Sequence, residues 1–173
     1  MSKDQDAILF SFEPLTRKHD REAFSCGSAP LDRYLKTQAR QDASRGFAAP
    51  IVAVTGGKTI IAYYTLASYS VGVRELPEDE TKGLPKYPDV PATLLGRLAV
   101  DQEFRGQGFG GHMLLHALKR SYDLSSEIAS FLVVVDAKDD TAIAFYEHYG
   151  FKRLPDRPDR LYLPMKQIAK LDL

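Results

Sequence analysis

The sequence has one cysteine, Cys26, among its 173 residues. No internal disulfide can form, and such sparing use suits a reducing compartment, so a cytoplasmic protein is expected. No apolar run approaches the ~20 residues of a membrane-spanning helix. The first residues, MSKDQDAILFSF, carry acids and too short an apolar stretch for a secretory signal. Excess charge is missing too: 23 Lys and Arg balance 23 Asp and Glu. Net charge therefore gives no ground for a polyanionic partner, although local clusters of one sign still can. Repeats and low-complexity tracts are absent. With 44% hydrophobic and 27% charged residues, the composition is that of a globular protein, and the length suits a single domain over 1–173 with a full core.

What is present is an alternation of strand and helix patterns. ILFSFEPL (8–15) alternates apolar and polar residues and predicts a strand. Ser28 and Pro30 supply helix-start chemistry, an oxygen for free N–H groups and a fixed φ. The helix LDRYLKTQARQDAS (31–44) follows, with Leu31, Tyr34, Leu35 and Ala39 inward and Gly46 as its stop. Residues 50–71 read as two strands around a Gly56-Gly57 turn. RELPEDETKGLPKYPDVPA, with its acidic knot at 75–80, reads as a surface loop. TLLGRLAV (93–100) is the next strand. A helix from Phe109 to Tyr122 follows, then the nearly continuous apolar strand FLVVVD (131–136) and a short helix, TAIAFYEHYG (141–150). FKRL and RLYLPM close the chain as strands across a DRPDR turn. The order β-α-β-β-β-α-β-α-β-β implies an α/β fold, a mixed sheet with helices on both faces.

Between strand and helix stands FRGQGFGG (104–111). Backbone N–H groups exposed at a helix start, with the helix dipole behind them, make an anion site, and glycine lets a phosphate come close. The phosphate-loop pattern GxxxxGK[ST] is absent, since no Lys-Ser/Thr follows, and this speaks against nucleoside triphosphate hydrolysis. Gly106, Gly108 and Gly111 satisfy GxGxxG, a dinucleotide signature. Here, however, DQEF separates the turn from its strand. Asp136, the candidate ribose acid, stands far beyond Gly111, and the chain after it is too short for the remaining βαβ units. His112 and His116 have the i, i+4 spacing of zinc ligands, but HMLLH lacks the glutamate of HExxH, so no metal is expected. Cys26 beside Gly27 reads as a turn residue and lacks an identifiable partner for a nucleophile's role.

Arg105-Gly106-Gln107-Gly108-Phe109-Gly110 fits [Q/R]-x-x-G-x-[G/A], and DDTAIAFYEHYGF (139–151) follows in order. Together they resemble the pyrophosphate loop and the A-x-x-F-Y-x-x-x-G-F segment of the GCN5-related N-acetyltransferases. The resemblance implies that family's fold: a mixed central sheet with a V-shaped splay between two parallel strands. It also implies acetyl-CoA as cofactor. Backbone groups of Leu98, Ala99 and Val100 would pair with the pantetheine arm as an added strand would. N–H groups from Arg105 to Gly111 would take the pyrophosphate. Tyr146 stands where the resemblance places the acid that protonates the departing thiolate, with Tyr149 as understudy; packing alone is the plainer reading of both. The Val100 N–H would polarise the acyl carbonyl. No carboxylate or histidine stands out as general base, and a water relay would serve. One departure is Asp139, where many members carry Asn, which puts a cofactor contact from there in doubt.

The stretches FSCGSAPLDRYLKTQARQD (24–42), GRLAVDQEFRGQGFG and RLYLPMK look like the acetyltransferase toxins of type II toxin–antitoxin modules. This branch implies acetylation of the α-amine of an aminoacyl-tRNA, a ribbon-helix-helix antitoxin as partner, and a homodimer. The charge pattern offers candidates for the tRNA. Arg33, Lys36 and Arg40 fall on one helical face. Arg17, Lys18 and Arg21 precede them, and Lys152, Arg153, Arg157 and Arg160 cluster near the end. Arg97, in the cofactor strand, points into the slot or salt-bridges across the sheet. A stripe of Lys and Arg is also what any solvated helix face looks like. Two rivals stay open: an acetyltransferase for a small amine, antibiotic or protein N-terminus, and a non-catalytic acyl-CoA-binding regulatory module.

Overall fold

The computed structural model describes residues 7–173; residues 1–6, part of the stretch weighed against a secretory signal, lie outside it. The elements are β1 (Ser11–Pro14), α1 (Ala29–Thr37), α2 (Ala39–Arg45), β2 (Ala49–Thr55), β3 (Thr59–Gly72), α3 (Glu78–Thr81) and β4 (Asp89–Val100). They continue as α4 (Phe109–Leu124), β5 (Leu132–Asp136), α5 (Asp140–His148), β6 (Lys152–Leu154), β7 (Arg157–Pro164) and α6 (Met165–Ile168). The strands hydrogen-bond in the order β1-β2-β3-β4-β5-β7-β6. β4 and β5 run parallel, whereas β1–β2, β5–β7 and β6–β7 are antiparallel. This is the mixed α/β class that the pattern predicts. By internal contacts the chain forms two compact units: the described part of Met1–Thr65 with Arg97–Met113, and Leu66–Gly96 with Leu114–Leu173.

In the first unit β1 pairs with β2 from Ser11↔Val54 to Pro14↔Ile51. Gly56 and Gly57 turn the chain into β3 with φ of +61° and +72°, a left-handed pair that side chains resist and glycine adopts freely. Tyr34, Leu35 and Ala39 pack with Phe24, Val52, Val54, Ile60, Tyr63 and Ala99, and Leu31 lies against them. The inward face is thus the one the periodicity predicts. Two details differ. Pro30 sits in the first turn of α1 as expected, but Ser28 makes no side-chain cap; its carbonyl accepts from the Asp32 N–H at 3.0 Å, and the Asp32 carboxylate takes the Cys26 N–H at 2.9 Å. The helix predicted over 31–44 also breaks at Gln38, which has φ −121°. A side chain from outside the helix sets this break: the Arg21 guanidinium donates to the Lys36 carbonyl at 2.8 Å.

In the second unit β4 and β5 are registered from Ala92↔Leu132 to Leu95↔Val135, and β7 lies on β5 from Leu132↔Pro164 to Asp136↔Arg160. Leu132, Val133, Val134 and Val135 are all buried, as an apolar strand covered on both faces should be. Leu132 and Val134, on one face, share a cluster with Val71, Leu76, Val90, Ala92, Leu154 and Tyr162. The stretch expected to be a plain loop after residue 72 holds a 3-10 turn, Val73–Glu75, and α3. Leu76 supplies the reason, since burying it folds the segment onto the cluster. The acidic knot is only partly solvated: the Glu80 side chain is 12% exposed, within 4.0 Å of the Lys152 and Lys166 amines. The DRPDR turn is likewise shorter than expected, with β7 already begun at Arg157 and a register shift at Arg153/Leu154 absorbing the difference. A terminal turn of helix, α6, was not anticipated.

Candidate active site

Past Val100 the chain is tied down before it becomes bare. The nearly buried Asp101 carboxylate accepts the N–H groups of Ser25 and Glu103, each at 2.9 Å. The Asp101 N–H donates to the Ile61 carbonyl at 2.8 Å, and the Gln102 N–H to the Ser25 carbonyl at 2.8 Å. The Arg105 guanidinium donates to the Cys26 carbonyl. Gly27 has φ +87°, and a Cβ there would stand 2.7 Å from Gln102 Nε2 and 2.9 Å from Arg105 Nη2. The 25–27 segment is therefore the bed on which the 3-10 turn Gln102–Phe104 rests. Asp101 was missed in the sequence. Its place directly before a short turn was a usable capping signal, whereas its reach to Ser25 was not legible.

Beyond Arg105 the glycines do what the pattern asks. Gly106 has φ +75° and Gly108 +83°, with nothing within 4 Å of a Cβ built on either. The left-handed backbone calls for glycine at these two positions, and the open space admits a ligand. The His112 N–H closes on the Gly108 carbonyl at 3.1 Å, so the N–H groups of Phe109, Gly110 and Gly111 precede the first rung of α4. The buried Phe109 ring meets Phe10 edge-on at 5.1 Å and Phe104 at 6.1 Å, fixing where the helix begins. The Arg105 N–H bends back to the Gln102 carbonyl, and its guanidinium ties the turn to the 25–27 segment. A turn of uncrowded amides at the start of a 16-residue helix fits a diphosphate.

β4 leads into this turn. Its register with β5 ends at Leu95, yet the strand continues to Val100. Ala99 packs into the α1 cluster, which leaves its main chain, and that of Leu98 and Val100, as the part with hydrogen-bonding capacity. Among the described residues Arg97 makes no cross-sheet salt bridge. Its guanidinium carbon lies 3.5 Å from the centroid of the Tyr34 ring.

Tyr146 belongs to the second unit, on α5. Asp139 caps that helix, accepting the Ala142 N–H at 2.8 Å, so its carboxylate is committed to the helix start. Tyr146 is 8% exposed, with Phe145 and Phe151 edge-on at 5.3 and 5.5 Å. Burial pushes its phenol up to about 12, because the phenolate is poorly solvated there. It is a phenol that keeps its proton. Tyr149 is more open and stands against Phe145 and His148.

The basic candidates separate. Arg33 and Lys36 lie on α1, but Arg40 falls on α2 beyond the Gln38 break, so the expected single face is divided between two helices. Arg153 is paired with Glu147 at 2.9 Å, and the exposed Lys152 stands 4.0 Å from Glu80. Arg160 leaves the expected rim altogether. It is buried, forks onto Asp136 at 2.6 and 2.8 Å, and donates to the Tyr69 hydroxyl. That pairing holds its pKa above the usual value and also accounts for Asp136. Lys18 pairs with Glu13 at 2.7 Å. Among the described residues no group of three or more His, Cys, Asp or Glu could hold a metal ion, and no helix is long and apolar enough to cross a membrane.

The family model described as an acetyltransferase (GNAT) domain matches residues 52–153. A protein named "Probable toxin TacT" from Sinorhizobium fredii is 31% identical over 92% of this chain and 93% of its own. A "tRNA-acetylating toxin" from Mycobacterium tuberculosis is 35% identical over 88% of this chain and 90% of its own. Among solved structures, AtaT complexed with acetyl-methionyl-tRNAfMet superposes with a TM-score of 0.87 at 27% identity, covering 95% of this chain and 99% of that one.

Proposed function

The chain belongs to the GNAT acetyltransferases, and from that premise we propose that it is a toxin that acetylates the α-amine of aminoacyl-tRNA. It is an acetyl-CoA-dependent N-acetyltransferase. The observation that carries the finer reading is its likeness, along nearly the whole chain, to proteins named as tRNA-acetylating toxins. Acylating the α-amine removes the nucleophile that peptide-bond formation needs, so translation stops.

In this reading the amides from Gly106 to Gly111 hold the pyrophosphate, and Arg105 keeps their turn in place. The main chain of Leu98, Ala99 and Val100 pairs with the pantetheine arm as an added strand would. When bound, acetyl-CoA supplies a thioester whose acyl carbon a neutral amine can attack. The Val100 N–H donates to the acyl oxygen as negative charge grows on it. Tyr146 holds a proton at its hydroxyl and gives it to the departing sulfur. With its phenol near 12, Tyr146 keeps its proton throughout the working range and is a donor only as charge develops on the departing sulfur, a thiol being the stronger acid at ~8.5. Water takes the amine's proton. Arg33, Lys36, Arg40, Arg97, Lys152 and Arg153 are the candidate contacts to the tRNA. A single catalytic domain, a ribbon-helix-helix antitoxin, a homodimer and a cytoplasmic location belong to the same proposal.

The test is transfer of labelled acetyl from acetyl-CoA to a panel of charged tRNAs, with Tyr146→Phe alongside. Wild type should label aminoacyl-tRNA. Tyr146→Phe should lose about 10²–10⁴-fold in kcat, the usual worth of a positioned acid, while binding acetyl-CoA as before. Label in free amines or peptides but never in aminoacyl-tRNA would overturn the substrate. A fully active Tyr146→Phe would overturn the acid.

A further inference from the structure

Arg97 shares with Arg33 and Arg40 the lack of a hydrogen-bond partner among the described residues, and is set apart from them by the aromatic ring beneath it. Arg21, Arg105, Arg153 and Arg160 each spend their guanidinium on a carbonyl or carboxylate. The partly exposed Arg97 guanidinium has no hydrogen-bond or ion-pair partner among the described residues; it lies on the face of Tyr34, 3.5 Å from guanidinium carbon to ring centroid, within the field of the Asp42 carboxylate. That ring is well braced. Its hydroxyl donates to Asp42 Oδ2 at 2.8 Å, and Gln38 Nε2 holds the other oxygen of Asp42 at 2.8 Å. Tyr63 lies stacked beside it at 6.4 Å and 19°, itself tied to the Leu31 carbonyl at 2.7 Å. The result is a flat cation, one face laid on a fixed ring, its fork of N–H donors uncommitted.

We infer that Tyr34 and Asp42 position the Arg97 guanidinium as a fork for one phosphodiester of the acceptor strand's single-stranded end. This rests on the tRNA reading above. The chemistry is specific: a guanidinium fork matches two oxygens of a phosphate. The esterified amino acid of an aminoacyl-tRNA has no free carboxylate, so the phosphodiesters are the anions its end always carries. Stacking on an aromatic face removes rotamer freedom before the substrate arrives, so less is lost when the contact forms. Arg97 also directly precedes Leu98, where the stretch proposed for the pantetheine arm begins. A phosphate held there registers the acceptor end on the same strand that aims the thioester.

The test is steady-state kinetics with charged tRNA over a range of salt, beside acetyl-CoA binding. Arg97→Gln should raise KM for aminoacyl-tRNA about tenfold, the worth of one charge-assisted contact, and lower the slope of log(1/KM) against log[salt] by about 0.7. Its acetyl-CoA affinity should match wild type. Arg97→Lys keeps the charge but not the planar fork, so the slope should recover and KM should not. Tyr34→Leu removes the platform and should raise KM several-fold, and Tyr34→Phe, which keeps the ring, should restore most of the loss. If wild type acetylates aminoacyl-tRNA and Arg97→Gln alters neither KM nor slope, this inference fails while the tRNA reading stands. If wild type acetylates no aminoacyl-tRNA, both fall.

Discussion

Replacing Asp101 with alanine should loosen the glycine turn without touching a glycine. The carboxylate accepts two main-chain N–H groups, those of Ser25 and Glu103, each at 2.9 Å. Hydrogen bonds to a charged group contribute roughly 1.5–3 kcal/mol each; both are partly exposed, so the lower figure applies and the pair comes to about 3 kcal/mol. For a chain of this size 1 kcal/mol moves Tm by about 2–4 °C, so Asp101→Ala should melt about 6–12 °C below wild type. The second readout is the cofactor. A ligand at a hundred times its Kd raises stability by about 2.7 kcal/mol, and at that same concentration acetyl-CoA should raise the variant's Tm by clearly less, because the amides after Arg105 have lost their bed. Asp101→Asn keeps one acceptor oxygen and should fall between. Calorimetry with and without acetyl-CoA decides it. A variant melting within 2 °C of wild type, with the same ligand-induced rise, would refute the claim that this side chain holds the turn.

Gly108→Ala should cost about 1–2 kcal/mol of stability through its left-handed φ alone, since nothing crowds a Cβ there, and should weaken acetyl-CoA binding as measured by calorimetric titration. Asp139→Ala should cost about 1 kcal/mol through loss of the α5 cap, read by denaturant midpoint, whereas Asp139→Asn should be close to neutral. Tyr34, Tyr146 and Tyr162 are each pushed up to about 12, first of all by burial. The fold binds these protons more tightly than the unfolded chain, so the stability they lend is whole below pH ~10 and is lost as pH climbs through 12. A phenolate absorbance titration followed with circular dichroism should show them ionising late. All nine tyrosines titrating near pH 10 with the fold intact would contradict this.

The element order was legible because its signals are local. Gly56-Gly57 needs no distant partner to turn a chain, and Leu132–Val135 announce a doubly covered strand by composition alone. The glycine turn was legible for the same reason. What stayed hidden was decided by side chains far apart in sequence. The face carrying Leu31, Tyr34, Leu35 and Ala39 runs unbroken through Gln38, and only Arg21 reaching the Lys36 carbonyl marks the break. Arg160 sits among Arg157 and Asp159 and looks solvated, yet its partner Asp136 lies in another strand. Asp101 and Ser25 are likewise joined across 76 residues of chain. Ser28 fits the composition of a cap, but Asp32 satisfies Cys26 and the serine hydroxyl is left out of the arrangement.

The strand order β5-β7-β6 carries a consequence for synthesis. β7 follows β5 and β6 in the chain yet is seated between them. A chain stalled or cut ahead of Arg157 leaves β6 without its neighbour and bares one flank of β5, so a fragment lacking only that end should aggregate or be degraded. The second unit's sheet is therefore incomplete until the chain has passed Pro164.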